Sequence, residues 1–173
     1  GSLVFSRTYN SLNRETGGFG PGWSSWTETG LVFTDDAARW VQPDGRQVVF
    51  PRLGEGWDRA TSENYWLGQV VDRLLITDNS GGSWEFNPAG RLTSVARGAG
   101  TGVLLEWQQD RLVGLRHERG RSITVEWADG LVSAIAASDG RRVEYGYDDS
   151  GRLVSASGPL GVRSYSWDAA GLI

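Results

Sequence analysis

The second half of the chain alternates apolar and polar residues in short segments. Ile123, Val125 and Trp127 share one face of such a segment, and polar residues fill the positions between them. The segments 103–107 and 143–147 repeat the pattern. Because successive side chains of a β-strand point to opposite faces, this period of two predicts strands with one buried face. No helical periodicity of useful length accompanies it, so the sequence predicts an all-β fold.

An aromatic residue ends each of these strands at nearly constant spacing. The five aromatics of this ladder lie 21, 20, 20 and 20 residues apart, at Phe86, Trp107, Trp127, Tyr147 and Trp167. A leucine follows each of them after four to six residues, at Leu92, Leu112, Leu131, Leu153 and Leu172. Turn-forming residues lie between the aromatic and the leucine. Each unit therefore reads as strand, turn, strand, and loops of three to five residues favour hairpins with a bulge over the two-residue type.

This repeat predicts the organisation of the whole chain. Residues 81–173 are expected to form about five β-hairpins in series, the last of them truncated, in a curved antiparallel sheet. Residues 1–80 are expected to form an irregular N-terminal cap with short strands. Since an isolated hairpin is marginally stable at best, each hairpin must be stabilised by its neighbours. The division near residue 80 is therefore predicted to be a packing boundary and not a flexible linker.

One repeat closely resembles a known family. Residues 140–156, "GRRVEYGYDDSGRLVSA", resemble the YD repeat of the Rhs (rearrangement hotspot) family, which also occurs in teneurins and insecticidal toxin complexes. The matching positions are Gly140, Arg141, Tyr145, Tyr147, Asp148, Gly151, Arg152 and Leu153. Neighbouring units match more loosely, with Trp or Phe in place of the second Tyr. The N-terminal stretch resembles the segment that precedes the first YD repeats of bacterial Rhs proteins, through "FSRTYNS" at 5–11, "GGFGPGW" at 17–23 and "PDGRQVVF" at 43–50.

The resemblance implies a fold and a role. Hairpins of this family spiral into a hollow shell, and in bacterial members the shell typically encloses a C-terminal toxin. The resemblance also implies secretion or surface display, and in some members contact with carbohydrate. Two departures limit it, because five repeats are too few to close a shell and because the family's C-terminal core, with its autoproteolytic aspartate motif, and any toxin are absent from this sequence. The chain is therefore expected to be only the start of such a shell.

Two functions of different classes are compatible with these patterns. The first is structural, as part of an Rhs-type shell that encloses or displays a C-terminal effector. Its partners would be the remainder of the parent shell and that effector, with neither enzymatic activity nor a cofactor in this segment. The alternative is an extracellular carbohydrate-binding or adhesion module that holds glycans on tryptophans outside the ladder. These are Trp40, Trp57 and Trp66, and core packing is the competing interpretation for each.

Composition argues against several classes of partner. With 17 basic and 21 acidic residues the net charge is −4, which disfavours nucleic acid or an anionic membrane as the main partner. The chain contains no cysteine, and therefore no disulfide, thiolate zinc site or cysteine nucleophile. No apolar run approaches about 18 residues, so no membrane insertion is predicted.

The glycine-rich stretch "GGFGPGWSSW" at 17–26 has two interpretations. It could cradle a phosphate, or it could form a tight structural corner. All cationic side chains of the sequence are arginines, and no strand–GxxxxGK[ST]–helix context exists, which disfavours a phosphate loop. A corner is therefore expected, with Pro21 stiffening it and with Trp23 and Trp26 packing on the first layer of the sheet.

Residues that could carry chemistry also fit structural roles. His117 has no accompanying G-x-S-x-G motif and is expected in an exposed turn between hairpins. Three glutamates precede ladder aromatics, namely Glu85, Glu106 and Glu126. They should lie on the face opposite the aromatics, either as a solvated surface paired with arginines or as a glycosidase-like pair of carboxylates.

The turn aspartates and the last strand complete the predictions. Asp148, Asp149 and Asp168 fit turn formation better than a calcium loop, so no metal site is predicted. The last strand, ending near Ile173, should leave an open sheet edge. Because open edges recruit other strands, we expect two chains to dimerise by edge pairing.

Overall fold

The computed structural model describes residues 3–13 and 15–172, and its regular structure is almost entirely β. Within these residues the one helical element is a 3₁₀ turn at Trp26–Glu28. The predicted all-β fold is confirmed.

Eight short strands occupy the N-terminal third. They are β1 (Arg7–Tyr9), β2 (Thr16–Gly17), β3 (Gly20–Pro21), β4 (Trp23–Ser25), β5 (Gly30–Phe33), β6 (Ala37–Val41), β7 (Gln47–Leu53) and β8 (Gly56–Trp57). Strands β5 to β8 form a four-stranded antiparallel sheet, while β1 pairs with β4 and β2 pairs with β3. The predicted short strands of this region are therefore present.

The following strands of the described chain form one sheet of eleven strands. They are β9 (Tyr65–Val70), β10 (Arg73–Asp78), β11 (Gly82–Phe86), β12 (Leu92–Arg97), β13 (Val103–Gln108), β14 (Arg111–His117), β15 (Ser122–Ala128), β16 (Leu131–Ala137), β17 (Arg142–Tyr147), β18 (Leu153–Gly158) and β19 (Gly161–Ser164). Strands that are consecutive in the chain are neighbours in the sheet, so the sheet consists of consecutive hairpins, as predicted.

The end of the repeat array differs from the prediction. The sheet edge is β19, and not a strand ending near Ile173, which lies outside the described residues. The last pairing with β18 is the N–H of Tyr165 on the carbonyl of Val154, at 2.9 Å. Beyond it, β20 (Trp167–Asp168) and β21 (Gly171–Leu172) form their own two-stranded ladder.

The hairpins that carry the ladder aromatics use two kinds of loop. Five residues join β11 to β12 and β17 to β18, at Asn87–Arg91 and Asp148–Arg152, as predicted. Two residues join β13 to β14 and β15 to β16, so the prediction of longer loops is wrong there. Asp129 and Gly130 in the second of these loops have φ angles of 52° and 79°, and the type I′ turn requires positive φ at both central residues.

A bulge recurs in hairpins with either loop. The pairing shifts by one residue immediately before Phe86, Trp127 and Tyr147. This confirms the bulge, which places each aromatic opposite a core residue of the returning strand. In the β15–β16 hairpin that residue is Val132, and not Leu131 as the spacing suggested. The two-residue loop places the partner five residues after the aromatic, whereas it lies six residues after the aromatic in the hairpins with five-residue loops.

The described chain divides into two compact units. The first comprises Trp26–Leu105 and His117–Arg119. An aromatic cluster lies in its core, where the ring centroid of Trp40 is 5.1 Å from that of Tyr65 and 5.0 Å from that of Trp84. Strand β5 runs against the turn of the first hairpin, since the N–H of Leu31 donates to the carbonyl of Gly90 at 2.8 Å.

The second unit comprises the N-terminal residues up to Ser25, Glu106–Arg116 and the residues from Gly120 onward. Residues 3–13 and 15–25, here called the strap, lie on the hairpins of this unit. Phe19 of the strap is buried, and its ring centroid is 5.0 Å from that of Tyr145. The packing boundary expected near residue 80 stays a prediction.

Candidate functional site

The Tyr-Asp and Gly-Arg signature builds one closed turn. The N–H of Asp148 donates to the carbonyl of Arg152 at 3.0 Å, and the N–H of Gly151 donates to the carbonyl of Asp148 at 2.9 Å. The Asp148 carboxylate accepts the Arg152 N–H at 2.9 Å and its Nε–H at 2.8 Å. These bonds, led by that from the Arg152 backbone, hold the pKa of Asp148 below its ordinary value. The turn-forming role predicted for Asp148 is confirmed.

The same turn occurs in the β11–β12 hairpin, with an asparagine in place of the aspartate. The N–H of Asn87 donates to the carbonyl of Arg91 at 2.9 Å, and Asn87 Oδ1 accepts the Arg91 N–H at 3.0 Å. Gly90 occupies the position of Gly151, and both have positive φ, at 92° and 74°. The five-residue turn is therefore defined by its backbone bonds and its glycine, and it accepts either side chain.

Three ladder aromatics hydrogen-bond to the hairpin that precedes them. The indole N–H of Trp127 donates to the carbonyl of Leu112 at 2.8 Å, and that of Trp167 donates to the carbonyl of Leu153 at 2.7 Å. The hydroxyl of Tyr147 donates to the carbonyl of Val132 at 2.7 Å. Sequence reasoning missed this bond. The signal was the preference for Trp and Tyr, which can donate, at a position that packing alone would also allow Phe to fill.

The glycine-rich stretch forms the contact of the strap with these aromatics. The carbonyl of Gly18 accepts the N–H of Val132 at 2.7 Å. A Cβ at Gly18 would lie 2.7 Å from the indole of Trp127, so a side chain there has no room. Gly20, with φ of 84°, lies against the carbonyl of Gly151. A structural corner is thus what the residues form, and glycine is needed for close approach.

The strap does not lie where the sequence suggested. Trp23 was expected on the first layer of the sheet. Its ring centroid instead lies 5.3 Å from that of Tyr9 and 5.2 Å from that of Tyr165. Tyr9 in turn lies 5.4 Å from Trp167, and its hydroxyl accepts the N–H of Leu172 at 3.0 Å. The strap therefore packs on the last hairpins, because Tyr9 and Trp23 find their aromatic partners there.

One arginine of the strap lies among aromatic rings. The guanidinium carbon of Arg7 is 5.0 to 5.8 Å from the ring centroids of Phe19, Trp23, Tyr145 and Tyr165. Its Nη2 donates to the Tyr165 hydroxyl at 2.6 Å, while its Nε is buried with no hydrogen-bond partner within the described chain. Burial raises the pKa of Tyr145, against the opposing charge of Arg7. The half-buried Arg7 side chain is thus held mainly by cation–π contacts and by its bond to Tyr165.

The three tryptophans predicted as ligand contacts lie in different surroundings. Trp40 is 3 % exposed and packs in the aromatic core of its unit. Trp66 is 42 % exposed on β9. Trp57 is half-buried, with the guanidinium of Arg52 5.2 Å from its ring centroid and Phe33 at 6.0 Å. Trp57 is therefore the one of the three that combines an aromatic neighbour with partial exposure.

A groove of about 180 Å³ opens beside Trp57. Phe33 and Trp57 line one part of it, and the β9–β10 hairpin contributes Gln69, Asp72 and Arg73. Pro88 and Leu74 complete the lining. The groove joins two aromatic rings to three polar side chains.

The glutamates ahead of the ladder aromatics form ion pairs. Glu85 pairs with Arg73 at 3.1 Å, Glu106 with Arg116 at 2.8 Å and Glu126 with Arg142 at 2.6 Å. The bond from Arg142 lowers the pKa of Glu126. The prediction of a charged face paired with arginines is confirmed. The pairs are solvent-exposed, so each contributes little to stability.

His117 is buried, at 4 % exposure, and the prediction of an exposed turn is wrong. It is the last residue of β14 and faces the core in the alternation of that strand. Its Nδ1 accepts the N–H of Arg119 at 3.1 Å. The histidine thus closes the strand end, which explains why a polar residue is buried there.

Two further features bear on function. Among residues 3–13 and 15–172, no group of three or more His, Asp or Glu side chains is arranged to hold a metal ion. In the same residues, no helix has the length and hydrophobicity needed to cross a bilayer.

Consecutive hairpins joined by a recurring aromatic hydrogen bond define a β-hairpin repeat protein. A family model described as RHS Repeat matches residues 127–163 and 147–173, and one described as Domain of unknown function (DUF6531) matches residues 1–50. These matches support an Rhs/YD-repeat family for this chain.

Curated relatives show the same relationship over larger parts of the chain. The "Probable deoxyribonuclease RhsB" of Dickeya dadantii is 28 % identical over 187 aligned residues, which cover 90 % of this chain and 12 % of the relative. The "tRNA nuclease WapA" of Bacillus subtilis is 30 % identical over 98 residues, which cover 56 % of this chain and 4 % of the relative. The chain thus spans a small part of the length of these relatives.

Proposed function

We propose that this chain is a wall segment of an Rhs shell that encloses a C-terminal effector of its parent protein. The observation that carries the proposal is the hydrogen bond from each of three ladder aromatics to the carbonyl of the preceding hairpin. A wall must hold each strand against the next without a thick core behind it. A bond of this kind supplies that cohesion wherever a hairpin with a Trp or Tyr at the ladder position is added.

The strap supports the same role. In the second unit its rings and glycines cover the aromatic side of the hairpins, while ion-paired glutamates occupy the opposite face. A wall covered by its own N-terminal segment needs no other chain to bury its aromatic ladder. We further propose that the parent protein is secreted or displayed at the cell surface.

The names of the relatives favour a nuclease as the effector. Because this chain matches only 12 % and 4 % of two relatives named as nucleases, their activity can reside in parts that it does not match. We propose that this segment is not itself an enzyme. Incubating it with tRNA and with DNA should give no cleavage, and a nuclease activity that stays with the purified chain would contradict this.

Protease protection of the parent protein tests the enclosure. In the intact parent, the segment that follows the repeats should resist a protease that rapidly digests the same segment in isolation. Trp127→Ala removes a ladder ring and its bond, and should make the segment accessible, whereas Trp66→Ala on the exposed face should leave it protected. Equal digestion of the segment in the wild-type parent and in isolation would overturn the proposal.

A further inference from the structure

We propose that one residue pair matches neighbouring hairpins to each other. An arginine immediately before the acceptor carbonyl takes a tryptophan from the next hairpin, whereas a leucine there takes a tyrosine. Arg111 directly precedes Leu112, whose carbonyl accepts the indole N–H of Trp127, and the guanidinium carbon of Arg111 lies 5.6 Å from the Trp127 ring centroid. A carbonyl and the adjacent side chain thus hold two parts of one indole. The inference rests on the proposed wall and deepens it.

The last ladder position of the described chain repeats this arrangement. Arg152 directly precedes Leu153, whose carbonyl accepts the indole N–H of Trp167 at 2.7 Å. The guanidinium carbon of Arg152 lies 5.9 Å from the ring centroid of Trp167. A guanidinium is attracted to a ring face within about 6 Å, most strongly when the ring is an indole. An arginine at this position therefore favours tryptophan over the smaller aromatic residues.

The pair of hairpins between these two lacks both members of the match. Leu131 directly precedes Val132, and the side chain that donates to the Val132 carbonyl is Tyr147, at 2.7 Å. A leucine has no charge to attract a ring face, so it gives an indole no advantage over a phenol. The phenol hydroxyl donates to the carbonyl as the indole N–H does. The hydrogen bond is thus kept where the arginine and the tryptophan are both replaced.

The sequence contains the arginine–tryptophan combination once more. Arg91 precedes Trp107 by sixteen residues, the interval that also separates Arg111 from Trp127. Arginine therefore accompanies tryptophan at three ladder positions, and tyrosine stands at the position where leucine replaces the arginine.

One of these arginines is held by its own turn. The Asp148 carboxylate accepts the Nε–H of Arg152 at 2.8 Å, and the two side chains are 26 % and 39 % exposed. This bond keeps the guanidinium where it contacts Trp167, which is half-buried. Less rotamer freedom is then lost when the next ring packs on the arginine. Asp148 is thus a positioning residue for the contact between hairpins, in addition to closing its turn.

Matching of this kind disfavours wrong neighbours. Backbone pairing is alike in all hairpins and does not distinguish one neighbour from another, whereas a side-chain pair does. A tryptophan beside a leucine loses its cation–π contact, and a tyrosine beside an arginine gains a weaker one. Each mismatch therefore costs stability, which favours one order of hairpins along the wall over the others.

A double-mutant cycle measures the match. Arg111→Leu, Trp127→Tyr and the double variant of the 173-residue chain are unfolded with urea, and their unfolding equilibrium constants are compared with that of wild type. The double variant carries the leucine–tyrosine pair that Leu131 and Tyr147 form naturally. Its loss of stability should be about two- to fivefold smaller than the product of the two single losses.

Arg116 provides the matched control for this cycle. It lies on the same strand as Arg111 but pairs with Glu106 at 2.8 Å on the face opposite the aromatics. Arg116→Leu and Trp127→Tyr should therefore act independently. The strap also contacts Trp127, but its contribution cancels in the cycle because it is present in both backgrounds. Independent effects of Arg111→Leu and Trp127→Tyr, or equal coupling with Arg116→Leu, would refute the match.

A second cycle tests the positioning role and stands if the first set of variants does not fold. Arg152→Leu and Trp167→Tyr should be coupled to a similar degree, and the coupling should weaken in Asp148→Asn, whose turn forms as that of Asn87 does. In NMR spectra the ring current of Trp167 should displace the Arg152 side-chain protons upfield, and less so in Asp148→Asn. Undisplaced signals in wild type, or coupling unaffected by Asp148→Asn, would overturn the positioning role.

The match and the shell fail separately. Absence of coupling would leave the segment after the repeats protected from protease in the parent protein, because enclosure requires the ladder bonds and not the arginines. Digestion of that segment in the wild-type parent would overturn the shell, while the coupling measured in the 173-residue chain would remain.

Discussion

At the scale of single residues, the two tyrosines of the repeat signature have separate tasks. Tyr147 donates its hydroxyl to the preceding hairpin, and Tyr145 lies under the guanidinium of Arg7 in the strap. Burial raises the pKa of both hydroxyls. A Tyr-x-Tyr pair on one face of a strand can therefore join a repeat both to its neighbour and to the segment that covers it.

Removing the hydroxyl of Tyr147 should isolate the value of the ladder bond. Tyr147→Phe keeps the ring and loses the donor to the carbonyl of Val132, so the free energy of unfolding should fall by about 1 kcal/mol. Trp66→Phe, at an exposed ring, should change it by less than about 0.5 kcal/mol. Chemical denaturation measures both. A Tyr147→Phe protein as stable as wild type would show that the bond has no net value.

Gly18 offers a test of close approach. A methyl group there would lie 2.7 Å from the Trp127 indole, so Gly18→Ala should destabilise the chain by about 1–3 kcal/mol. Gly68→Ala is the matched control, because a Cβ at Gly68 has nothing within 4 Å and its φ is not in the left-handed region. The midpoint of thermal unfolding should fall for Gly18→Ala and stay unchanged for Gly68→Ala. Equal midpoints would mean that the strap yields without cost.

The Asp148 turn should give a defined pH dependence. Its carboxyl pKa is below the ordinary 3.8 in the folded chain, mainly because the Arg152 N–H donates to it. A lowered pKa contributes stability above the unfolded-state pKa, and this is lost as the pH falls through the folded-state value. The stability difference between wild type and Asp148→Asn should therefore be largest near neutral pH and shrink below about pH 4.

Asp149→Asn is the control for that measurement. Its carboxylate is exposed in the same turn and takes no part in the turn's hydrogen bonds, so this variant should follow wild type at every pH. Folding of Asp148→Asn itself is expected, since Asn87 holds the equivalent turn of the first hairpin. A difference between wild type and Asp148→Asn that stays constant down to pH 2 would contradict the assignment.

At the scale of elements, one arginine side chain links the strap to the hairpins. Arg7 contacts two rings of the strap and two rings of the hairpins. Its neighbours Phe5 and Tyr9 share the same face of the extended segment, which gives the strap a period of two. The strap is thus an extended segment, and aromatic contacts of its alternate side chains hold it on the hairpins.

Arg7→Ala should release the strap without unfolding the hairpins. Hydrogen exchange should become faster in residues 5–25, because the four cation–π contacts and the bond to Tyr165 are lost together. Exchange in β10 to β12, which belong to the first unit, should stay as in wild type. Arg7→Lys keeps the charge but not the planar group, and should give an intermediate effect. Unchanged exchange in Arg7→Ala would show that the glycine contacts suffice.

Sequence predicted the elements better than their contacts. Alternation around Trp127 and the aromatic spacing predicted the hairpins and bulges, since strand period and turn chemistry are local properties. The same spacing did not reveal the two-residue loops, because an extra residue in a bulge and an extra residue in a loop lengthen the distance between aromatic and leucine by the same amount. The burial of His117 was missed, since an isolated polar residue at a strand end does not reveal its face.

Contacts distant in the chain were beyond local patterns. Gly18 meets Val132 across more than a hundred residues, and no periodicity relates the two. The sequence could not set the half-buried Trp57 apart from the buried Trp40, because burial of a single tryptophan depends on which sheets pack against it. Phe33 and Asp72, two further residues that line the groove, belong to no motif in the sequence.

At the scale of the whole molecule, the open edge of the sheet should govern association. Strand β19 is exposed along its length, and Val162 on it is 67 % exposed. We expect the 173-residue chain to form dimers at high concentration by antiparallel pairing of β19. Val162→Lys should shift the equilibrium to the monomer, as measured by analytical ultracentrifugation.

The control for this prediction is an exposed apolar residue away from the edge. Leu104 on the interior strand β13 is also exposed, and Leu104→Lys should leave the dimer intact. Dimers that persist in Val162→Lys, or a wild-type chain that stays monomeric at high concentration, would exclude pairing through β19.

The ladder bond also has a fixed relation to the order in which the chain is synthesised. Each donating aromatic reaches back to a carbonyl that was synthesised earlier, about fifteen residues before it. The acceptor of each of these bonds therefore leaves the ribosome before its donor. We expect the sheet to grow from its N-terminal hairpins onward, whereas the strap, although translated first, can dock only after the last hairpins have been made.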